Sequence, residues 1–261
     1  MYLFLQLMRV TILQTDIIWG SPQDNMERAE RQIKRSAASD LFVLPEMWST
    51  GFATEPKGIA DEKDMALSWM QKIAVQTNTA ICGSVSVKED DHYVNRLYFV
   101  RPDQTYDYYD KHHLFSYGHE DKYYRPGNRR TVAEYKGVRF LLVTCYDTRF
   151  PLWLRYRDDY DAIIIVANWP ENRQLAWQTL IRARAIENQA YVIACNRIGN
   201  DQNCKYAGGS AIIDPYGNTL AQAEENKEET ISGEIDMERL KHFREKFPVL
   251  MEKDNYEITM I

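Results

Sequence analysis

Apolar residues in this chain come in short blocks whose internal spacing switches between two and nearly four positions. Val10 to Ile17 alternates as a strand does. Pro22 to Ser36 is charged, with Met26, Ala29 and Ile33 on one side, the stripe of an amphipathic helix. Leu41 to Leu44 is a continuous apolar run, the mark of an interior strand, and a helix is predicted over roughly Asp61 to Gln76. Strands are predicted at Ala80–Val87, Val94–Val100, Tyr106–Tyr109, Phe140–Thr144 and Ala162–Ala167, then a long helix over about Glu171–Asn188. Further strands follow at Tyr191–Asn196, Ser210–Asp214, Thr219–Ala223 and Glu229–Ile235. Strands stand both singly between helices and as consecutive ribbons. That predicts an α/β layered sandwich over a simple doubly wound sheet. No Pro/Gly/Ser-rich linker and no internal repeat divides the chain, so residues 1–261 read as one domain.

The first eight residues, MYLFLQLM, are apolar but lack a basic lead-in and a small-residue cleavage site, so neither a signal peptide nor a membrane span is expected. They read as an extension ahead of a translation start at Met8. Hydrophobic residues make up 44% of the chain, which argues for a packed core. The net charge of −6, with no basic stripe, argues against nucleic acid as a partner. The four cysteines, Cys82, Cys145, Cys195 and Cys204, lack metal-type spacing and imply a reducing, cytoplasmic setting without disulfides.

Candidate chemistry collects at three strand ends. In FLLVTCYDTRFP, Cys145 follows a buried strand and Pro151 suits the first turn of a helix. A nucleophile on such a strand-to-helix turn is exposed beside backbone N–H groups that can bind an oxyanion. In LFVLPEMW, Glu46 lies just past an apolar strand, where α/β sheets place their chemistry, and suits a general base. In TYDYYDKHHLF, Lys111 could be a fixed cation at a strand end. Each has an ordinary alternative: a buried structural cysteine, a solvated turn glutamate, a surface lysine. His112, His113, His119 and Glu120 invite a metal reading, but adjacent histidines on a strand point to opposite faces, so no metal is assigned.

Together these segments resemble the nitrilase superfamily of carbon–nitrogen hydrolases, whose pattern is a glutamate after LPE, a lysine after a YxK-like strand and a cysteine in a CYDxRFP-like elbow. The resemblance extends to ANWP at 167–170, ARAIENQAYV at 183–192, CNRIG at 195–199 and DPYGN at 214–218. TGFATEP at 50–56, YDKHHLF at 109–115 and REKFP at 244–248 are similar to bacterial omega-amidases. The resemblance implies a four-layer α-β-β-α sandwich, a homodimer or larger assembly, and no cofactor. It implies Glu46 as base, Lys111 as cation, Cys145 as nucleophile, Glu120 as the second glutamate beside the lysine, and the Tyr146 backbone N–H as oxyanion donor. The implied substrates are small amides of short dicarboxylic keto acids, 2-oxoglutaramate and 2-oxosuccinamate.

A distant carboxylate on such a substrate calls for an arginine fork. Arg173 is the first candidate and Arg197 the second, with Trp169 and Phe115 as pocket walls. Three other readings stand beside this one: a different amidase, nitrilase or carbamoylase of the superfamily, a non-catalytic binding protein on the same fold, and a metal-dependent hydrolase using the His113–Glu120 region.

Overall fold

The computed structural model describes residues 7–258. In chain order the strands are β1 (Leu7–Gln14), β2 (Leu41–Val43), β3 (Ala80–Glu89), β4 (His92–Val100), β5 (Tyr106–Asp110), β6 (Val132–Tyr135) and β7 (Val138–Thr144). They continue as β8 (Ala162–Ala167), β9 (Tyr191–Asn196), β10 (Ile198–Asn200), β11 (Lys205–Ala207), β12 (Ala211–Ile213), β13 (Thr219–Gln222) and β14 (Glu229–Asp236). The helices are α1 (Pro22–Arg35), α2 (Met65–Thr77), α3 (Pro151–Leu154), α4 (Gln174–Asn188) and α5 (Met237–Lys246). Two six-stranded mixed sheets result, in the orders β14-β1-β2-β3-β4-β5 and β13-β12-β9-β8-β7-β6, with β10 and β11 as a separate hairpin.

Side-chain alternation explains why the first sheet is apolar on both faces. Val10, Ile12, Leu41, Val43, Cys82, Leu97 and Phe99 join Phe140, Leu142, Ile164 and Ile193 of the second sheet in one core. The intervening residues Leu13, Phe42, Ile81, Val85 and Tyr98 face the other way, against Met26 and Ile33 of α1 and Met70 and Ile73 of α2. On the second sheet, α4 buries Trp177, Ile181 and Ala185. The layers are therefore helix, sheet, sheet, helix, as the resemblance implied.

Several predicted boundaries shift for identifiable reasons. The helix expected from Asp61 begins at Met65, because the Asp61 carboxylate accepts the N–H groups of Lys63, Met65 and Ala66 and so caps the helix from outside. The helix expected from Glu171 opens with a 3₁₀ turn, Glu171–Arg173, before α4. The strands β6, β10 and β11 and the helix α5 were not predicted. Along α5 only Leu240 and Phe243 are buried, too sparse a stripe to announce a helix; its start is fixed by Asp236, whose side chain accepts the Arg239 N–H at 2.9 Å. Met8, read from sequence as the end of an extension, is buried within β1 opposite Ile235; residues 1–6 lie outside the described residues. Among the described residues no helix is long and apolar enough to cross a membrane.

One backbone approach positions the end of β5. The Gly127 N–H donates to the Lys111 carbonyl at 2.9 Å, and a Cβ on Gly127 would lie 2.1 Å from the Asp110 carbonyl oxygen. Neither backbone can yield without moving the other. Gly127→Ala is expected to lower stability by about 1–3 kcal/mol and to displace Lys111. Denaturant melts check this; a variant with native stability would show that the contact is slack.

Candidate active site

Glu46, Lys111 and Cys145 stand at the carboxyl ends of β2, β5 and β7. Tight packing of the two sheets brings the first two, from one sheet, against the third, from the other. Lys111 is fully buried, and its Nζ lies 2.9 Å from Glu46 Oε1 and 3.1 and 2.8 Å from the two carboxylate oxygens of Glu120. Both glutamates are fully buried. Asn95, on β4, donates through Nδ2 to Glu46 at 2.8 Å and Glu120 at 3.1 Å, and the Phe115 N–H donates to Glu120 at 2.7 Å. Glu46 Oε2 receives the Asn168 backbone N–H at 2.8 Å, and Asn168 Nδ2 reaches the Glu46 carbonyl at 2.8 Å.

Burial alone would pull the Lys111 pKa down, but the Glu120 and Glu46 carboxylates hold it well above the usual lysine range. Lys111 is therefore a permanent cation. Burial pushes the Glu120 carboxyl up, with Lys111 opposing and Glu46 adding to the rise.

Cys145 has φ +45°, a left-handed conformation costly for a residue with a Cβ. The turn Cys145–Arg149 is 3₁₀, and only then does the four-residue α3 begin, with Pro151 in its first turn. The elbow is held by Asp147. Its buried carboxylate accepts from Tyr109 Oη at 2.8 Å, from the His113 N–H at 2.8 Å and from the Thr144 N–H at 3.2 Å, and lies 2.8 Å from His113 Nδ1. The strand end that carries Lys111 is thus tied to the turn that carries Cys145. The Tyr146 N–H lies in the first turn of this 3₁₀ segment, where N–H groups have no partner within the turn.

A nearby ammonium and a helix N-terminus ordinarily depress a cysteine pKa. The structure gives the opposite net direction. Burial and the Glu46 carboxylate push the thiol well above the usual cysteine range, with Lys111 only partly opposing. The elbow offers a short 3₁₀ turn instead of a long helix dipole, and the Glu46 side chain lies beside the sulfur. The resting group is a thiol.

Cys145 (8% exposed) lines a narrow pocket with Phe115, Tyr146, Arg149, Asn168, Trp169, Pro170 and Arg173, with a cavity volume of only about 20 Å³. Phe115, Trp169 and Arg173 thus border the same pocket as Cys145. Arg197 does not border this pocket. It is buried and donates to Asp16, to the Ile17 carbonyl and to its neighbour's carbonyl at Ile198, a structural role. Arg149, Asn168, Asn95 and Asp147 carried no assigned role from sequence. Asn95 did leave a signal, as a polar residue inside an otherwise apolar strand. His113 and Glu120 point to different partners, Asp147 and Lys111, and no cluster of metal-ligand side chains is present among the described residues.

A model of the carbon–nitrogen hydrolase family matches residues 9–245. The chain belongs to the carbon–nitrogen hydrolase family. It is 41% identical to the omega-amidase YafV of Escherichia coli strain K12, over 96% of this chain and 98% of that protein. It is 38% identical to the 2-oxoglutaramate amidase of Bacillus subtilis, over 95% of this chain and 98% of that one. Among solved structures, a CN-hydrolase superfamily protein from Xanthomonas campestris, holding an arsenic adduct in its active site, superposes with a TM-score of 0.93 at 35% identity, covering 97% of this chain and 99% of the other. As a family member the protein is an enzyme of the nitrilase superfamily, with the two-sheet sandwich its fold required.

The charge arrangement makes a direct prediction. Alkylation of Cys145 by iodoacetamide in the free enzyme should accelerate as pH rises past the ordinary thiol range, about 8.5. Glu46→Gln removes the neighbouring anion, so the alkylation profile should move to lower pH, while amide turnover falls by about 10²–10⁴. An unchanged profile in Glu46→Gln would show that the carboxylate does not act on the sulfur.

Proposed function

We propose that this enzyme hydrolyses the terminal amide of short dicarboxylic keto-acid monoamides, 2-oxoglutaramate and 2-oxosuccinamate, to the acid and ammonia through a thioester on Cys145. The observation that carries the reading is a nucleophile pocket walled by two guanidiniums with no acidic partner. Arg149 lies over the Trp169 ring at 4.7 Å and Arg173 over the Phe115 ring at 5.3 Å. Neither makes a salt bridge among the described residues. An aromatic face holds a guanidinium in place without neutralising it, leaving its N–H edge for an anion. The names of the relatives, omega-amidase and 2-oxoglutaramate amidase, support the same substrate class.

The chemistry follows from the charges. Glu46 takes the thiol proton as sulfur bonds to the amide carbon, and the carbonyl becomes an oxyanion. In the resting site the Lys111 ammonium is engaged by Glu46 and Glu120. Protonating Glu46 weakens one of those bonds and releases an N–H towards the oxyanion, which the Tyr146 N–H also meets. Collapse breaks the carbon–nitrogen bond, and Glu46 hands its proton to the leaving nitrogen, forming ammonia. Water then attacks the thioester, giving a proton to Glu46. Sulfur departs, and Glu46 returns that proton to it. Glu120 keeps Lys111 charged and fixed throughout.

Exposed Leu152 on α3 and Leu175 on α4 support a homodimer, for which light scattering is the test. For the activity, mass spectrometry of enzyme quenched with 2-oxoglutaramate should find an acyl adduct on Cys145, absent in Cys145→Ser. Arg173→Ala is expected to raise KM for 2-oxoglutaramate about tenfold or more, and to affect a neutral amide far less. Equal effects on both substrates would remove the arginine from carboxylate binding.

A further inference from the structure

Asn168 sits one residue beyond β8, beside the strand that carries the nucleophile, since Thr144 pairs with Val166. Its backbone N–H and its Nδ2 both point at Glu46, the latter reaching the carbonyl at 2.8 Å and Oε2 at 3.3 Å. The carbonyl is an obligate acceptor, so the amide can stand only one way round, nitrogen towards Glu46. That leaves Oδ1 as a fixed acceptor. It is buried, and no hydrogen-bond donor meets it among the described residues. The Asn168 side chain is 4% exposed and borders the pocket of Cys145. A buried carbonyl without a partner is costly and rare, and a reactive pocket is where such a cost is retained.

A bound primary amide offers the missing donor. With its oxygen turned to Lys111 and Tyr146, its nitrogen lies on the side of Glu46, the group that must protonate it. Asn168 contacts the same Glu46 oxygen. We propose that Asn168 Oδ1 accepts an N–H of the scissile amide and of the departing ammonia, and so selects amides over the corresponding esters. Holding one N–H on Oδ1 turns the nitrogen lone pair of the tetrahedral intermediate towards the protonated Glu46. An ester presents an oxygen without hydrogen at that place, and two acceptors then face each other. This assignment rests on the cysteine-amidase reading above and adds to it the recognition of the leaving group.

The test is the ratio of kcat/KM for a primary amide to that for the methyl ester of the same acid. It is measured on 2-oxoglutaramate with its ester counterpart, and again on propionamide with methyl propionate. Loss of support to Glu46 would harm amide and ester alike, because both need Glu46 to take the thiol proton and to return it to a strongly basic leaving group, nitrogen or alkoxide oxygen. Loss of the acceptor harms the amide alone. Asn168→Ala is expected to lower the amide-to-ester ratio about tenfold or more. Asn168→Asp keeps an acceptor and loses the donors to Glu46, so its ratio should stay near wild type even as total activity drops. Should the alanine variant fail to fold, Asn168→Ser, too short to reach, is read in the same way. Equal loss on both substrates in the alanine or serine variant, or a collapsed ratio in Asn168→Asp, overturns the proposal. Turnover of propionamide but not of 2-oxoglutaramate by wild type would refute the keto-acid reading and still leave the ratio to judge Asn168.

Discussion

One buried ammonium between two buried carboxylates governs this structure. A charge taken out of water is tolerated only when its partners are close and their remaining lone pairs are satisfied. Lys111 meets that condition through Glu46 and Glu120, and Asn95 bridges the same two carboxylates. The Phe115 and Asn168 backbone N–H groups take further oxygens. Every member restrains the next, so the geometry at Glu46 is set before any ligand arrives. The resting protonation follows from it: a lysine held charged and a thiol held protonated.

The fold's contribution is to let two sheets meet at their carboxyl ends. Lys111 and Glu46 come from one sheet, Cys145 and Asn168 from the other, and the shared apolar core fixes their separation. Asp147 makes the link explicit, since one carboxylate binds both the strand end beside Lys111 and the elbow of Cys145. The strained φ of Cys145 persists because this network and the packed strand below over-determine it.

The same residues that carry the catalytic charges also carry the pocket. Asn168 touches Glu46, and its neighbour Trp169 lies under Arg149 while its indole N–H binds the Arg173 carbonyl at 2.9 Å. Phe115 donates to Glu120 through its backbone and stacks with Arg173 through its ring. The pocket walls and the buried charge cluster are therefore held to one another by adjacent residues.

Much of this was legible in the chain. Apolar blocks of the right period gave the inner strands, and residue types that are strange at strand ends, a glutamate after Pro45, a lysine amid tyrosines, a cysteine before an aspartate, marked the chemistry. Local pattern fixes local structure, and a strand end is a local property. What lay beyond reach was set by contacts distant in sequence. The direction of the Cys145 pKa depends first on burial between the sheets and then on Glu46, nearly a hundred residues away. Arg173 and Arg197 look alike as sequence, yet one borders the pocket and the other is consumed by Asp16, because only packing decides which acid an arginine meets. Helix α5 depends on burial against the sheet more than on its own polar sequence. The chain itself determined which groups could react and at which strand ends they stand; the tertiary structure decided their mutual charge states and which polar atoms remain unpaired, because both are properties of neighbours that sequence order does not specify.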